Sequence, residues 1–265
     1  MANLIRSAKS GRAWTLYDLD SYNIHLKQQE PLEFFGVPVL PDPAVDPELL
    51  QHLEANNMQQ HHNARLIKLV DLVMLRSWGE SAIVDFTVEL LQLTGYDHQN
   101  RLARRRIDMP LFLCGKWRHM KTDVCLMDCK QNNILLVVQG DKWLEDREPL
   151  NARARLVAEA LAAFTKNNAN RQSSPLESKV NIPVLLTVSV MPGIVMVDTT
   201  PIFFKIPVTQ ELVTHVQQGT YPPTPTIATY CFPPLPCHIS DGMKPLSNRH
   251  QILSCCEAFK TIIGI

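Results

Sequence analysis

Thr122–Asp123–Val124–Cys125–Leu126–Met127, a polar run Asp128–Cys129–Lys130–Gln131–Asn132–Asn133, and Ile134–Leu135–Leu136–Val137–Val138–Gln139–Gly140–Asp141–Lys142 decide the reading of this chain. Two apolar, β-rich segments separated by six polar residues predict a hairpin. Asp123 opens the first strand and Lys142 closes the second. Antiparallel pairing would therefore carry an acid and an amine to one end of the hairpin, within reach of one ion or one phosphate.

Upstream, Ser77–Trp78–Gly79–Glu80 reads as a capping box, with Ser77 capping the first free amides and Glu80 reaching back to the cap. Ile83, Phe86, Leu90 and Leu93 follow at helical spacing, and Gly95 suits a left-handed stop. Met109 to His119 reads as a further strand before the hairpin. Downstream, Leu150, Ala154, Val157, Leu161 and Phe164 define a second helix, ended by Asn167–Asn168. Strands are expected over Val184 to Val190, Ile194 to Val197 and Ile202 to Val208. The order is helix, three strands, helix, strand: an α/β, αβββαβ core.

The flanks are read as decoration. Tyr17 to Asp46, with its prolines, resembles an extended arm, and helices are expected over Asp46 to Met58 and Asn63 to Leu75. A helix at Gln210 to Gln218, a proline-rich loop from Pro222 to Pro236 and an amphipathic helix through Ile252, Cys256, Phe259 and Ile263 complete the chain. This divides the sequence into an N-terminal part (1–76), an α/β core (77–210) and a C-terminal extension (211–265), expected to form one globular unit.

With Lys plus Arg and Asp plus Glu both at 26, the molecule lacks the overall basic field of a non-specific nucleic-acid binder, so any such contact must be local. A local cluster exists: Arg101, Arg104, Arg105 and Arg106, then Lys116, Arg118, His119 and Lys121, could track a phosphate backbone. Set against that, a run of charge is more often a solvated face. The seven cysteines are odd in number and several lie in apolar runs, which favours a reducing, intracellular setting in cytoplasm or nucleus. The basic start has no apolar region of a secretory signal, and no stretch has the apolar length of a membrane span.

Metal-dependent phosphodiester cleavage needs carboxylates on adjacent strands to hold Mg²⁺ and a cation to orient water or stabilise the transition state. Asp123 and Lys142 are the candidates. The position two before Lys142, on the same strand face, is Gly140, while alternation sends Asp141 to the other face unless the strand ends or bulges there. Glu80 is a candidate third group, in competition with its capping role. The literal Asp128–Cys129–Lys130 falls in the turn and reads as a solvated tip. Asp123 has an ordinary reading as an edge-strand charge, and Lys142 as a strand-end residue.

Lys121 to Asp128, Ile134 to Lys142 and Leu113–Cys114–Gly115–Lys116 resemble a large group of uncharacterised proteins from mushroom-forming fungi. So do Arg12 to Thr15, Phe34 to Val37, Pro201 to Pro207 and Gly242 to Leu246. Members of that group usually read Val-Gln-Glu-Asp-Lys where this chain has Val138–Gln139–Gly140–Asp141–Lys142, a pattern similar to the Asp…Glu-x-Lys site of the PD-(D/E)xK nuclease superfamily. The resemblance implies a restriction-endonuclease-like core and Mg²⁺ held by Asp123 with a second carboxylate, Asp141 if the strand permits. It also implies water positioned by Lys142; from the residues themselves, Glu80 is expected to assist from the helix and Arg104, Arg105, Arg106, Lys116, Arg118 and Lys121 to form a local patch for nucleic acid. Because the central glutamate is missing, the alternatives are an impaired nuclease and an inactive binding or protein-interaction module. A weaker rival is a protein-interaction role for the arm and the proline-rich loop.

Overall fold

A computed structural model describes residues 6–75, 79–142, 150–173 and 187–265 and centres on a mixed seven-stranded sheet. In chain order the strands are β1 (Ile24–Gln28), β2 (Arg101–Arg105), β3 (Asp108–Leu113), β4 (Lys116–Lys121), β5 (Val124–Asp128), β6 (Asn133–Asp141), β7 (Val188–Val197), β8 (Thr200–Thr209) and β9 (Thr226–Cys231). The sheet order is β1-β9-β8-β7-β6-β5-β2, and β3 and β4 form a separate two-stranded ribbon. The helices are α1 (Leu16–Ser21), α2 (Pro31–Phe35), α3 (Glu48–Gln51), α4 (His61–Met74), α5 (Gly79–Leu93), α6 (Leu150–Ser173), α7 (Gln210–Gln218) and α8 (Leu246–Ile263).

The expected hairpin is present: β5 pairs antiparallel with β6, Val124 opposite Val138. Alternation along it sorts the side chains between two cores. Cys125, Met127 and Val137 pack with Ala154, Val157 and Leu161 of α6, whereas Val124, Leu126, Leu136 and Val138 pack with Ile83 and Phe86 of α5. The two helices therefore cover opposite faces. Helix α6, 24 residues long, is buried nearly all round because its apolar positions do not keep to one stripe. It links β6 to β7, which run parallel, as such a pair requires a long crossover.

Several local expectations are corrected. Met109 to His119 is not one strand but a ribbon that turns at Cys114 and Gly115, both at positive φ. The strand beside β5 is instead β2, whose Arg-rich composition hides it from an apolar pattern; edge strands favour charge. The arm contributes β1, which pairs in parallel with β9. Within the proline-rich loop, β9 also pairs with β8, so its backbone is engaged on both sides and is no free extended ligand segment. The second helix does not stop at Asn167–Asn168: Asn167 lies inside α6, its side chain accepting from the Ile134 amide at 2.7 Å and donating to the Ile134 carbonyl at 2.8 Å. Of the helix expected over 46–58, only α3 and a 3₁₀ turn at Ala55–Asn57 form. Strand β7 (Val188–Val197) runs on through Ile194 without the expected break, and 184–186 of the strand expected from Val184 lie outside the described residues.

On the α5 face, Arg249 of α8 is wholly buried and donates to five backbone carbonyls. These are Leu49, His52, Leu53, Met243 and Lys244, so one guanidinium ties the α3 segment to the start of α8.

A candidate site at the open end of the hairpin

The residue before β5 and the last residues of β6 meet where the hairpin opens. The Asp123 carboxylate accepts from Gln139 Nε2 at 2.7 Å and from the Gly140 amide at 2.9 Å. Its backbone carbonyl accepts from the Arg106 amide, which closes β2 against the same corner. A side chain at position 140 would project into this corner: a Cβ there would lie 3.4 Å from Asp123 Oδ2 and 3.3 Å from Ile83 Cγ2 of α5. Gly140 has no left-handed φ, so only space, not backbone conformation, bears on a substitution there.

Asp141 takes the other side. Its carboxylate lies 3.4 Å from Arg155 of α6 and accepts from the Lys142 amide at 2.9 Å. The glycine therefore brings no bulge that would turn Asp141 toward Asp123; β6 keeps its register with β7 through Asp141 and Val197. Lys142 follows immediately, half-buried. Glu80 belongs to α5 one turn before Ile83, but its side chain lies outside the described residues, as does Ser77 of the expected capping box. Asp128 behaves as a turn residue, accepting from the amides of Lys130 and Gln131.

One acid at this corner escaped the sequence reading. Glu159 of α6 is 2% exposed, and its Oε2 has no hydrogen-bond partner among the described residues. Burial pushes its carboxyl well above the ordinary range, and the charge of Asp123 pushes it further, while the Thr122 hydroxyl and Arg155 oppose the rise. A signal was present in the sequence: an acid between Leu156–Val157–Ala158 and Ala160–Leu161–Ala162 sits where a helix is otherwise apolar. Among the described residues no group of three or more His, Cys, Asp or Glu side chains is arranged to hold a metal.

The ribbon β3–β4 leaves and rejoins the sheet at this same corner, where the Thr122 amide donates to the Ile107 carbonyl. Along β4, Trp117 is 63% exposed and stands edge-on to Phe112. Ser10, Arg12, Trp117, Arg118, His119 and Lys121 line a cleft of about 390 Å³. Of the expected basic cluster, Arg105 is paired with Asp85 at 2.8 Å, and Arg118 donates from Nε to the Ala8 carbonyl. Arg104, Arg106, Lys116 and Lys121 are exposed. His119 pairs with Asp108 at 3.0 Å. Arg12 and Trp117 were not foreseen, although period two along Trp117, His119 and Lys121 puts these three on one face.

No protein-family model matches this chain, and no curated protein matches it. No helix among the described residues is long and apolar enough to cross a membrane.

Proposed function

We propose that this chain is a nucleic-acid-binding protein built on a PD-(D/E)xK-type core, with metal-dependent phosphodiester cleavage impaired at position 140. Support comes first from connectivity. Helix α5, strands β2, β5 and β6, helix α6 and strand β7 follow one another as αβββαβ, the ribbon being an insertion after β2. The first three strands form an antiparallel meander and β7 runs parallel to β6. The observation that carries the reading is the corner itself: a residue at 140 would point its Cβ at Asp123 Oδ2, where the superfamily's second acid would stand beside the first.

Asp123 and Asp141 together do not fit a shared cation. Asp141 is engaged by Arg155 on the α6 side, and the Asp123 carboxylate is held by Gln139 and the Gly140 amide. No cleavage step is therefore derived through that pair. Binding has its own basis in the adjoining cleft, which combines Arg12 and Lys121 with an exposed indole. Cations follow the phosphates and an aromatic face stacks an unpaired base, so single-stranded nucleic acid is the favoured form. The second reading, an inactive nuclease-fold module, is favoured by the same Arg155–Asp141 pair.

Fluorescence anisotropy with labelled single- and double-stranded DNA and RNA tests the proposal. Binding that falls with salt, prefers single strands and is weakened by Trp117→Ala and by Lys121→Glu is expected; no binding at low salt would overturn it. Cleavage with Mg²⁺ or Mn²⁺ then separates the two readings. Activity that appears or rises in Gly140→Glu and vanishes in Gly140→Glu combined with Asp123→Ala marks the corner as a nuclease site. An inert Gly140→Glu protein favours the binding module.

A further inference from the structure

We propose that the cleft beside the ribbon recognises strand ends: it takes the phosphorylated terminus of a single strand, with the last base on Trp117 and the terminal phosphomonoester at Arg12 and Lys121. The proposal rests on the nucleic-acid reading of the cleft and adds which part of the strand is held there.

The cleft is built where the N-terminal segment crosses β4. Gly11 lies so close to Met120 that a Cβ on it would stand 2.7 Å from the Met120 sulfur and 3.3 Å from the Met120 Cα. Only a residue without a side chain lets the two backbones approach in this way. Arg118 holds the crossing by donating from Nε to the Ala8 carbonyl at 2.7 Å, and Lys9 holds it from the other side through Asp18 at 2.8 Å. Ser10 and Arg12 flank Gly11, as His119 and Lys121 flank Met120, and all four line the cleft. Ser10 is exposed, and its hydroxyl is not used as a helix cap.

The charges here divide into two kinds. Lys9, Arg118 and His119 have structural work, the last through Asp108 at 3.0 Å. Arg12 and Lys121 are exposed and form no ion pair with a described residue. They are the cations left for a ligand.

Shape separates a strand end from a strand interior. Binding along a strand uses a groove that follows the backbone, with successive bases on successive aromatic side chains. Here a single indole, backed by Phe112 at 5.2 Å between ring centroids, lines a cleft of about 390 Å³, in the range of pockets that hold one small ligand. That suits one base and one phosphate. A phosphomonoester carries about −1.5 to −2 charge near pH 7, against a single charge on a diester linkage, so two cations and a hydroxyl favour the monoester.

The test is fluorescence anisotropy of the full chain with internally labelled single strands of one sequence. They carry a 5′-phosphate, a 3′-phosphate or hydroxyls at both ends, and a fourth is a covalently closed circle. One of the two phosphorylated strands should bind at least about tenfold more tightly than the hydroxyl-ended strand and the circle, and which one it is gives the polarity. Arg12→Gln should bring that ratio to about threefold or less, whereas Trp117→Ala should weaken every strand and leave the ratio within about twofold. Thermal melting checks that each variant is folded. Equal affinity for all four strands, or a preference that survives Arg12→Gln combined with Lys121→Gln, overturns the proposal. Equal but salt-sensitive binding would sink end recognition alone, whereas no binding of any strand at low salt would sink the nucleic-acid reading with it, so the two failures are distinguishable.

Discussion

Arg249 and Glu159 are both buried ionisable side chains on helices flanking the same sheet, one on each face, yet their surroundings differ. Arg249 sits among carbonyl oxygens and spends its donors on five of them, which makes it a tie between α8 and the α3 segment. Glu159 sits among alanines and leucines with one oxygen unpartnered among the described residues and with Asp123 as an electrostatic neighbour. A saturated buried charge serves the fold. A buried carboxyl that keeps its proton carries no charge, and with one oxygen unpartnered among the described residues it makes no comparable tie.

The contrast makes the two regions respond differently to mutation. The largest effect is expected for Arg249→Met, which strands five carbonyls in the core and should cost about 3–5 kcal/mol in urea unfolding. A loss under about 1 kcal/mol would mean the carbonyls find water, and the tie would be no tie. Asn167→Ala should follow at about 2 kcal/mol, since it leaves both the amide and the carbonyl of Ile134 without their partner in the α6-facing core.

Glu159→Gln is read as a slope. Because burial raises the Glu159 carboxyl in the folded chain, the folded state holds its proton at pH values where the unfolded chain has released it. Stability from this group is thus full below the ordinary glutamate range and is lost as pH rises through the raised value. Wild type should lose stability relative to Glu159→Gln as pH rises above the ordinary glutamate range, measured by thermal melting at each pH. Parallel curves would place Glu159 in a wetter setting than its burial implies. The smallest change is expected for Gly140→Ala, where Ile83 has only to yield by a few tenths of an ångström. A shift within about 1 kcal/mol would confirm that the corner has room for a side chain.

What could be read from the sequence was the part in which apolar period and position agree. Val124 to Met127 and Leu136 to Val138 alternate between two cores and betrayed the hairpin, its register shifting between Leu126 and Met127, and Ile83, Phe86 and Leu90 betrayed α5. Strand β2 was invisible because Arg101, Arg104 and Arg105 lie on an edge where one side of the strand meets solvent. The ribbon was merged into one strand because Cys114 carries no turn signal, although it adopts a positive φ beside Gly115. Strands β1 and β9 were hidden by the prolines around them, and their pairing joins segments far apart in sequence, which local patterns cannot express.

For the candidate site, sequence named Asp123, Gly140 and Asp141 and anticipated that alternation would send Asp141 away from the face of Gly140; its contact with Arg155 accords with that. It did not find Glu159 or Trp117. Glu159 is brought near Asp123 only by the packing of α6 on the sheet, and the exposure of Trp117 depends on the ribbon standing apart from the sheet.

The most direct measurement is fluorescence anisotropy of the full chain with labelled single-stranded DNA and RNA over a salt series. The account predicts binding that falls as salt rises and is weakened by Trp117→Ala and by Lys121→Glu. No binding at low salt, or binding that neither substitution changes, would contradict it.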